Sequence, residues 1–442
     1  MKKVLSESLV LRSLSEGVAS DRANIGPFYQ EVFGEDGDVN SHVLDVWTKD
    51  LVSEKHPTVT LDDIWVVVDT TRNDAIVSAV LLIPQRWRYE EVAFGLGRVE
   101  IVATDKNYRR RGLVRELFTA AHERSAALGH VMQGVTGIPH YYRRFGYGMS
   151  LDLGARAGLN LDVIPALPEG ETPKFTLRLA GVEDIPLLLR WGEERARNHL
   201  VTSIWTEAMW RYELTTRNPE SHVRTIPLLI VNQQAEPVGY LAVRTSPVYR
   251  YFSILSYYVG EESSLLETFL DVMRGCQAYI EAHFPPDKLV RRVGFDQGLQ
   301  PGLEAIIRAH SSGVVRESVY AWYIRVPDLV RFLEMIKPVL ERRLEGSAAN
   351  RYTGEFKISF YDTTGLTMTF DKGKITHLVV GDLYQGVADA AFPYHTFLNI
   401  VLGRNTVAEL ETALPEIYAG AKAHVLLEAL FPKKRSWVLE LP

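Results

Sequence analysis

The sequence holds a single cysteine, Cys276, among 442 residues. That excludes an internal disulfide and a thiolate zinc cage, and it suits a reducing compartment. Within "DVMRGCQAYI" the thiol reads as a small apolar core group. Long apolar runs are missing too. Nothing approaches 18 uncharged apolar residues, so a membrane-spanning helix is excluded, and Ser6, Glu7, Ser8 and Arg12 interrupt any signal-peptide core. A basic excess is also absent, with 49 Lys+Arg against 55 Asp+Glu and a formal net charge of -6. A protein that coats nucleic acid needs a broad basic face, so that class is excluded. No His/Asp/Glu grouping has metal-ligand spacing, no G-x-S-x-G elbow is present, and neither a P-loop nor a G-x-G-x-x-G opens a helix. The expectation is a cytoplasmic protein with no metal, no nucleic-acid partner and no membrane span.

What is present is enough apolar residue, 46%, to build several cores, and the length implies two to four domains. "LVLRSLSEGVASDRANIGPFYQEVF" (9–33) and "FTLRLAGVEDIPLLLRWGEERA" (175–196) each give a short strand, a polar turn and a helical pattern. Two β-rich runs around "TTRND" and two around "NQQAEP" then give a hairpin in each half, followed by strand, helix and strand. The order implies two α/β units of one architecture. "VIPALPEGETPK" (163–174) has the composition of a linker. After Pro327 come a helix, an alternating meander over 356–380 and further helices, a small α+β region. The expected units are residues 1–162, 173–326 and 327–442.

The concentrated charge is "YRRRGL", Tyr108 to Leu113. "GRVEIVATD" before it forms a strand, and "LVRELFTAAHERSAALG" after it places Leu113, Leu117, Ala120 and Leu128 on one helical stripe ending at Gly129. The arginines therefore sit on a strand-to-helix turn. The first amides of a helix lack intrahelical acceptors and carry partial positive charge. Gly112 admits a ligand close to the backbone, and arginines bind phosphate oxygens with charge-assisted bonds. Such a turn is built for a pyrophosphate.

"VEIVATDKNYRRRGLVRELF" resembles the coenzyme motif R-x-x-G-x-G/A of the GNAT N-acetyltransferases, with Val114 at the last position. With "YYRRFGYG" (141–148), two successive GNAT-like units and a final region similar to sterol carrier protein, the whole chain resembles the Eis-type (enhanced intracellular survival) acetyltransferases. The fold so implied is α/β and α+β: two tandem GNAT-like units followed by a sterol-carrier-protein-like α+β domain. The resemblance implies acetyl-coenzyme A as cosubstrate and a small-molecule primary amine as acceptor, with aminoglycosides and polyamines as examples. Protein lysines, or a lipid-binding scaffold with a vestigial transferase, are the alternatives. It implies that the backbone of Ile101, Val102 and Ala103 takes the pantetheine arm. Arg109, Arg110, Arg111, Gly112, Leu113 and Val114 would take the pyrophosphate, and Gly137 and Ile138 would flank the reactive end.

By the same resemblance Tyr142 is the general acid and the α-carboxylate of Pro442 the base, with Glu440 as a substitute, and the assembly is a hexamer. His122, His130 and His140 are rivals for acid–base work, and Trp47, Trp65 and Trp87 could line a cleft or fill a core. Acidic residues in "EVFGEDGDVN" (31–40) could attract a cationic amine. In the second half "YYVGEESSLLETFL" (257–270) has Glu261 and Glu262 where the first has arginines, and two carboxylates repel a pyrophosphate. That unit is expected to bind no coenzyme and to wall the substrate cleft.

Overall fold

In the computed structural model, residues 2–35, 42–154, 157–246, 250–296, 301–310, 315–316 and 320–442 are described. The first unit runs β1 (Lys2–Val4), β2 (Leu9–Ser13), α1 (Ala19–Glu35), α2 (His42–Leu51), β3 (Ile64–Asp69), β4 (Ala75–Tyr89), β5 (Val92–Thr104), α3 (Leu113–Ala127), β6 (Met132–Val135) and β7 (Gly148–Gly154). The second runs β8 (Ala157–Asn160), β9 (Phe175–Leu179), α4 (Ile185–Ala196), β10 (Val201–Ser203), α5 (Glu207–Thr215), β11 (Ile226–Asn232), β12 (Pro237–Ser246), β13 (Tyr251–Val259), α6 (Leu265–His283), β14 (Arg292–Phe295), α7 (Pro301–His310), β15 (Val315–Arg316) and β16 (Tyr320–Arg325). The third has α8 (Leu329–Glu345), β17 (Gly354–Ser359), β18 (Thr364–Asp371), β19 (Lys374–Asp382), β20 (Ala390–Ala391), α9 (Tyr394–Val401), α10 (Val407–Ala413), β21 (Tyr418–Ala419) and α11 (Ala421–Leu430).

The repeat has a physical counterpart at the same point in both units. Arg12 on β2 grips Asp21 at 2.8 Å through Nε and Nη2, and Arg178 on β9 grips Asp184 through Nη1 and Nη2 at 2.7 and 2.9 Å. Each bidentate pair ties its strand to the helix that follows. Mixed sheets result, ordered β1-β2-β3-β4-β5-β6-β16-β7, with β10 also on β4, and β15-β8-β14-β13-β12-β11-β9. The third sheet is β19-β18-β17-β20-β21.

The units are interleaved along the chain. β16, which the sequence reading assigns to 173–326, lies in the first sheet between β6 and β7, while β8, assigned to 1–162, lies in the second beside β14. The first unit thus lends β8 to the second sheet, and the second lends β16 and β10 to the first. α8 packs on the first sheet: Phe332, Leu333 and Ile336 share one buried core with Trp87, Tyr89, Phe94 and Leu96. Trp47, Trp65 and Trp87 are all core residues, at 7%, 2% and 0% exposure. No helix among the described residues is long and apolar enough to cross a membrane.

Two buried histidines make stability depend on pH. His56 Nδ1 accepts from the amides of Thr58 and Val59, and burial holds its pKa near about 3. His130 sits against Ser125, and burial lowers its pKa to about 4. The unfolded chain takes up protons near the ordinary value of about 6.5 and the folded chain does not, so stability falls as pH drops from there toward about 4. At pH 5 the loss is up to about 2 kcal/mol per histidine. Urea unfolding at pH 7 and pH 5 should show it, and His56→Gln should narrow the difference; an unchanged gap would remove His56 from the account.

Candidate active site

β4 and β5 form the longest ladder of the first sheet, and one irregularity in it creates the site. Ala79 faces Ala103 while Leu81 faces Glu100, so Ile101 and Val102 together sit opposite Val80. Ile101 has φ of +44°, a conformation a β-branched residue adopts only where a bulge enforces it. On its other side β5 pairs in parallel with β6 only from Leu96 to Arg98. Beyond the bulge no strand among the described residues pairs with that edge, and the two strands open as a V.

A cleft of about 540 Å³ occupies the opening. Of the residues singled out in the sequence, Val102, Ala103, Arg109, Arg110, Gly112, Leu113, Val114, Ile138 and Tyr142 line it. Gly112 is the N-cap of α3 with φ of +79°, and a methyl group added there would meet nothing within 4 Å. Its glycine is therefore required by the backbone and leaves open space before the first amides of the helix. The turn is anchored beneath by Tyr108, whose hydroxyl donates to Asp69 at 2.6 Å, and Asp105 caps the Asn107 amide at 2.8 Å. Arg109 Nε donates to the Thr104 carbonyl at 3.2 Å.

Arg111 turns away: its guanidinium lies 4.7 Å over the Tyr108 ring and donates to Asn107 O at 3.0 Å. Arg115 and Arg144 line the cleft in its place, two cations that the sequence reading passed over. Arg115 lies three residues beyond the cap, one helical turn along the same face, which is the signal that was there to use. Arg144 stacks 4.7 Å over Tyr141, also in the lining.

The short helical turn Tyr141–Phe145 carries Tyr142, which is 7% exposed and packs against Phe118, Tyr141 and Tyr323 at ring separations of 6.0, 5.3 and 5.6 Å. Gly137 has φ of +144°, and a methyl group there would come 3.0 Å from Tyr142 Oη. Its amide also meets the Tyr320 hydroxyl at 3.2 Å. Burial raises the Tyr142 pKa, and the Glu100 charge raises it further. The histidines serve elsewhere: His122 bonds Tyr147 Oη at 2.8 Å, His130 is buried against Ser125, and the His140 backbone amide is held by Tyr323.

A carboxylate cluster the sequence reading did not join lies at the foot of the V. Glu100, 12% exposed, receives Arg98 at 2.6 Å, and Arg98 also reaches Glu440 at 3.2 Å. Burial raises the Glu100 pKa, the Arg98 charge opposes this, and the Glu440 charge adds to it. Glu440 arrives on the last residues of the sequence, which thread between the two units. Trp437 N donates to Val201 O at 2.8 Å, Ser203 and Trp205 both donate to Leu439 O at 2.6 Å, and Gln85 donates to Leu441 O at 3.0 Å. Pro442 is buried, its oxygen accepts from Arg217 of the second unit and it lies beside His56 of the first, outside the lining of the cleft.

Glu261 and Glu262 are exposed in the turn before α6, where Arg110 and Arg111 precede α3 in the first unit. Glu35 pairs with Lys106 at 2.8 Å, and positions 36–40 of the acidic stretch lie outside the described residues. Among the described residues no group of three or more His, Cys, Asp or Glu could hold a metal ion.

A bulged, splayed strand leading into a glycine-capped helix leaves an open backbone edge beside unpaired helix amides, a cleft suited to an extended ligand that carries phosphate. Residues 27–150 match the family model described as acetyltransferase (GNAT) domain. The chain therefore carries a GNAT acetyltransferase domain over those residues. No curated protein matches it in sequence. Solved structures share the fold over nearly the whole length. A GCN5-related N-acetyltransferase from Anabaena variabilis has a TM-score of 0.65 at 12% identity, over 97% of this chain and 99% of that one. A conserved protein of unknown function and probable N-acyltransferase from Enterococcus faecalis has 0.63 at 12% identity, over 100% of both. Eis1 from Mycobacterium abscessus has 0.56 at 14% identity, over 97% and 99%.

Proposed function

We propose that the protein transfers acetyl from acetyl-coenzyme A to a primary amine of a small molecule. The observation that carries this reading is the Ile101 bulge opening β5 from β6 directly ahead of the Gly112-capped helix. A thioester bound in the cleft would supply the activated acyl carbon; an N–C bond forms there and a C–S bond breaks. In this reading the open edge of Ile101, Val102 and Ala103 pairs with the pantetheine arm. The amides after Gly112, with Arg109, Arg110 and Arg115, hold the diphosphate. Arg111 contributes by stacking on Tyr108, and Gly137 and Ile138 border the reactive end.

Two protons must move. The amine loses one to a carboxylate, and the sulfur gains one from Tyr142 Oη. Burial keeps the phenol protonated at neutral pH, which suits an acid. For the base we favour Glu100 over the Pro442 carboxyl group, because Glu100 lies on β5 below the open edge and its raised pKa makes it a better proton acceptor, whereas the Pro442 oxygen is engaged by Arg217. Glu440 tunes Glu100 through Arg98. The second unit, with Glu261 and Glu262 at the matching turn, walls the acceptor side and binds no coenzyme. The third unit's meander and helices keep the sterol-carrier-like assignment as a proposal, along with the hexamer that the resemblance implies and the cytoplasmic location that the single cysteine and the hydropathy pattern imply.

Gly112→Asp tests the coenzyme half of the reading. A carboxylate beside the diphosphate, on a residue forced to positive φ, should weaken acetyl-coenzyme A binding at least about tenfold by calorimetry. Unchanged affinity would remove the turn from the site. Thiol release against polyamines, aminoglycosides and lysine peptides tests the acceptor half.

A further inference from the structure

A second cavity, of about 640 Å³, lies over the sheet of the second unit. Its floor is made of small groups, Gly158 on β8, Ser253 on β13 and Gly294 on β14, and its walls are cationic. Arg244, Arg250, Arg291 and Arg292 line it against one carboxylate, Asp296. Arg291 approaches Asp162 only at 3.9 Å, both largely exposed, and among the described residues no ion pair forms at Arg250 or Arg292.

The position of Arg292 is built in. A methyl group on Gly158 would fall 1.9 Å from Arg292 Nε, so the guanidinium lies across β8 in space that only glycine leaves. Arg244 is 86% buried by the complement of its 14% side-chain exposure, and its Nε is buried with no hydrogen-bond partner. Cations gathered around one cavity repel each other and favour an anion between them, and the planar guanidinium fork matches carboxylate and phosphate oxygens.

A relay of charged side chains links the cavity to the reacting groups. Arg244 Nη1 lies 3.3 Å from Glu440 Oε1, and Glu440 Oε2 lies 3.2 Å from Arg98, which holds Glu100 at 2.6 Å. Two side chains, Glu440 and Arg98, therefore connect Arg244 in the cavity wall to Glu100 at the foot of the V. We infer, resting on the acetyl-transfer reading above, that the acceptor amine also carries an anionic group, carboxylate or phosphate, seated by Arg244, Arg250 and Arg292 with its amino group directed toward Glu440. A polycation would bring further positive charge to these walls, so this acceptor class replaces the polyamine and aminoglycoside expectation.

The test pairs acceptors that differ in the anion. Thiol release from acetyl-coenzyme A is measured with phosphoethanolamine, β-alanine, ethanolamine and spermidine, on the full chain and on Arg292→Gln and Arg250→Gln. The expected kcat/KM for at least one of the two anionic amines is 10-fold or more above ethanolamine and spermidine, and that advantage shrinks several-fold in each variant while coenzyme affinity is kept. A preference for phosphoethanolamine alone assigns a phosphate, and for β-alanine alone a carboxylate. Spermidine preferred over both, or an advantage that survives both substitutions, overturns the inference.

A readout independent of turnover separates this proposal from the transferase reading. Phosphoethanolamine or β-alanine should raise the Tm of the unsubstituted protein and not of Arg292→Gln, with ethanolamine inert; equal shifts for ethanolamine and both anionic amines, or none for any, overturn the cavity proposal. Failure to bind acetyl-coenzyme A in calorimetry would instead overturn the transferase reading.

Discussion

Tyr142→Phe should lower kcat by about 10²–10³-fold and leave the Kd for acetyl-coenzyme A within about twofold. The phenyl ring keeps every packing contact of the original, against Phe118, Tyr141 and Tyr323. Only the hydroxyl is lost, and it is the group facing Gly137, where the absence of a side chain leaves it room. Burial and the Glu100 charge both hold the proton on this oxygen, so an acid role extends to the basic end of the usable pH range. Tyr141, on the same turn and half-buried, packs edge-on against Tyr142, and Tyr141→Phe should cost only a few-fold. Steady-state rates with calorimetric coenzyme affinity separate the two. If Tyr142→Phe turned over at the unsubstituted rate, the thiolate would take its proton from elsewhere, and Tyr320, bonded to Gly137, would be the next group to substitute.

Local pattern carried the sequence reading as far as neighbours along the chain decide the structure. The strand before the arginines, the helix from Leu113 and its end near Gly129, at φ of +76°, are short-range features, set by side-chain periodicity and by glycine at positive φ. The repeat of strand, turn and helix was visible for the same reason, and the Arg12–Asp21 and Arg178–Asp184 pairs are its physical expression. The exchange of β8 and β16 was not legible. Tyr323 pairs with Val135, 188 positions earlier in the sequence and roughly the length of a whole domain, and a strand's own alternation does not say which sheet it will join. Nor could the run "YRRRGL" reveal that Arg111 stacks on Tyr108 while Arg115 and Arg144 face the cleft, because that depends on how the turn folds back. Glu100 was hidden in a different way. Within "GRVEIVATD" it reads as the polar member of an alternating strand, and its partner Glu440 is supplied from the opposite end of the sequence.

Glu100→Gln should lower kcat by about 10²–10⁴-fold at neutral pH, the effect of removing a positioned base, with the amide keeping the size and much of the hydrogen bonding to Arg98. Glu440→Gln should act differently. The Glu440 charge opposes ionisation of Glu100 and also shares Arg98 with it, so neutralising Glu440 lets Glu100 ionise more readily. The base form then persists to lower pH, and the acidic limb of the kcat/KM profile moves down in pH. The rate on the plateau falls modestly, because a carboxylate that ionises more easily is a weaker proton acceptor. The two variants therefore distinguish the carboxylates: a large rate loss with no surviving acidic limb marks the base, and a displaced limb marks its neighbour. If Glu440→Gln lost activity as Glu100→Gln is expected to, while Glu100→Gln moved only the limb, the roles would be exchanged. If both variants kept full rate and an undisplaced limb, the proton would leave by a group outside this cluster, and the Pro442 carboxyl group held by Arg217 would regain its claim.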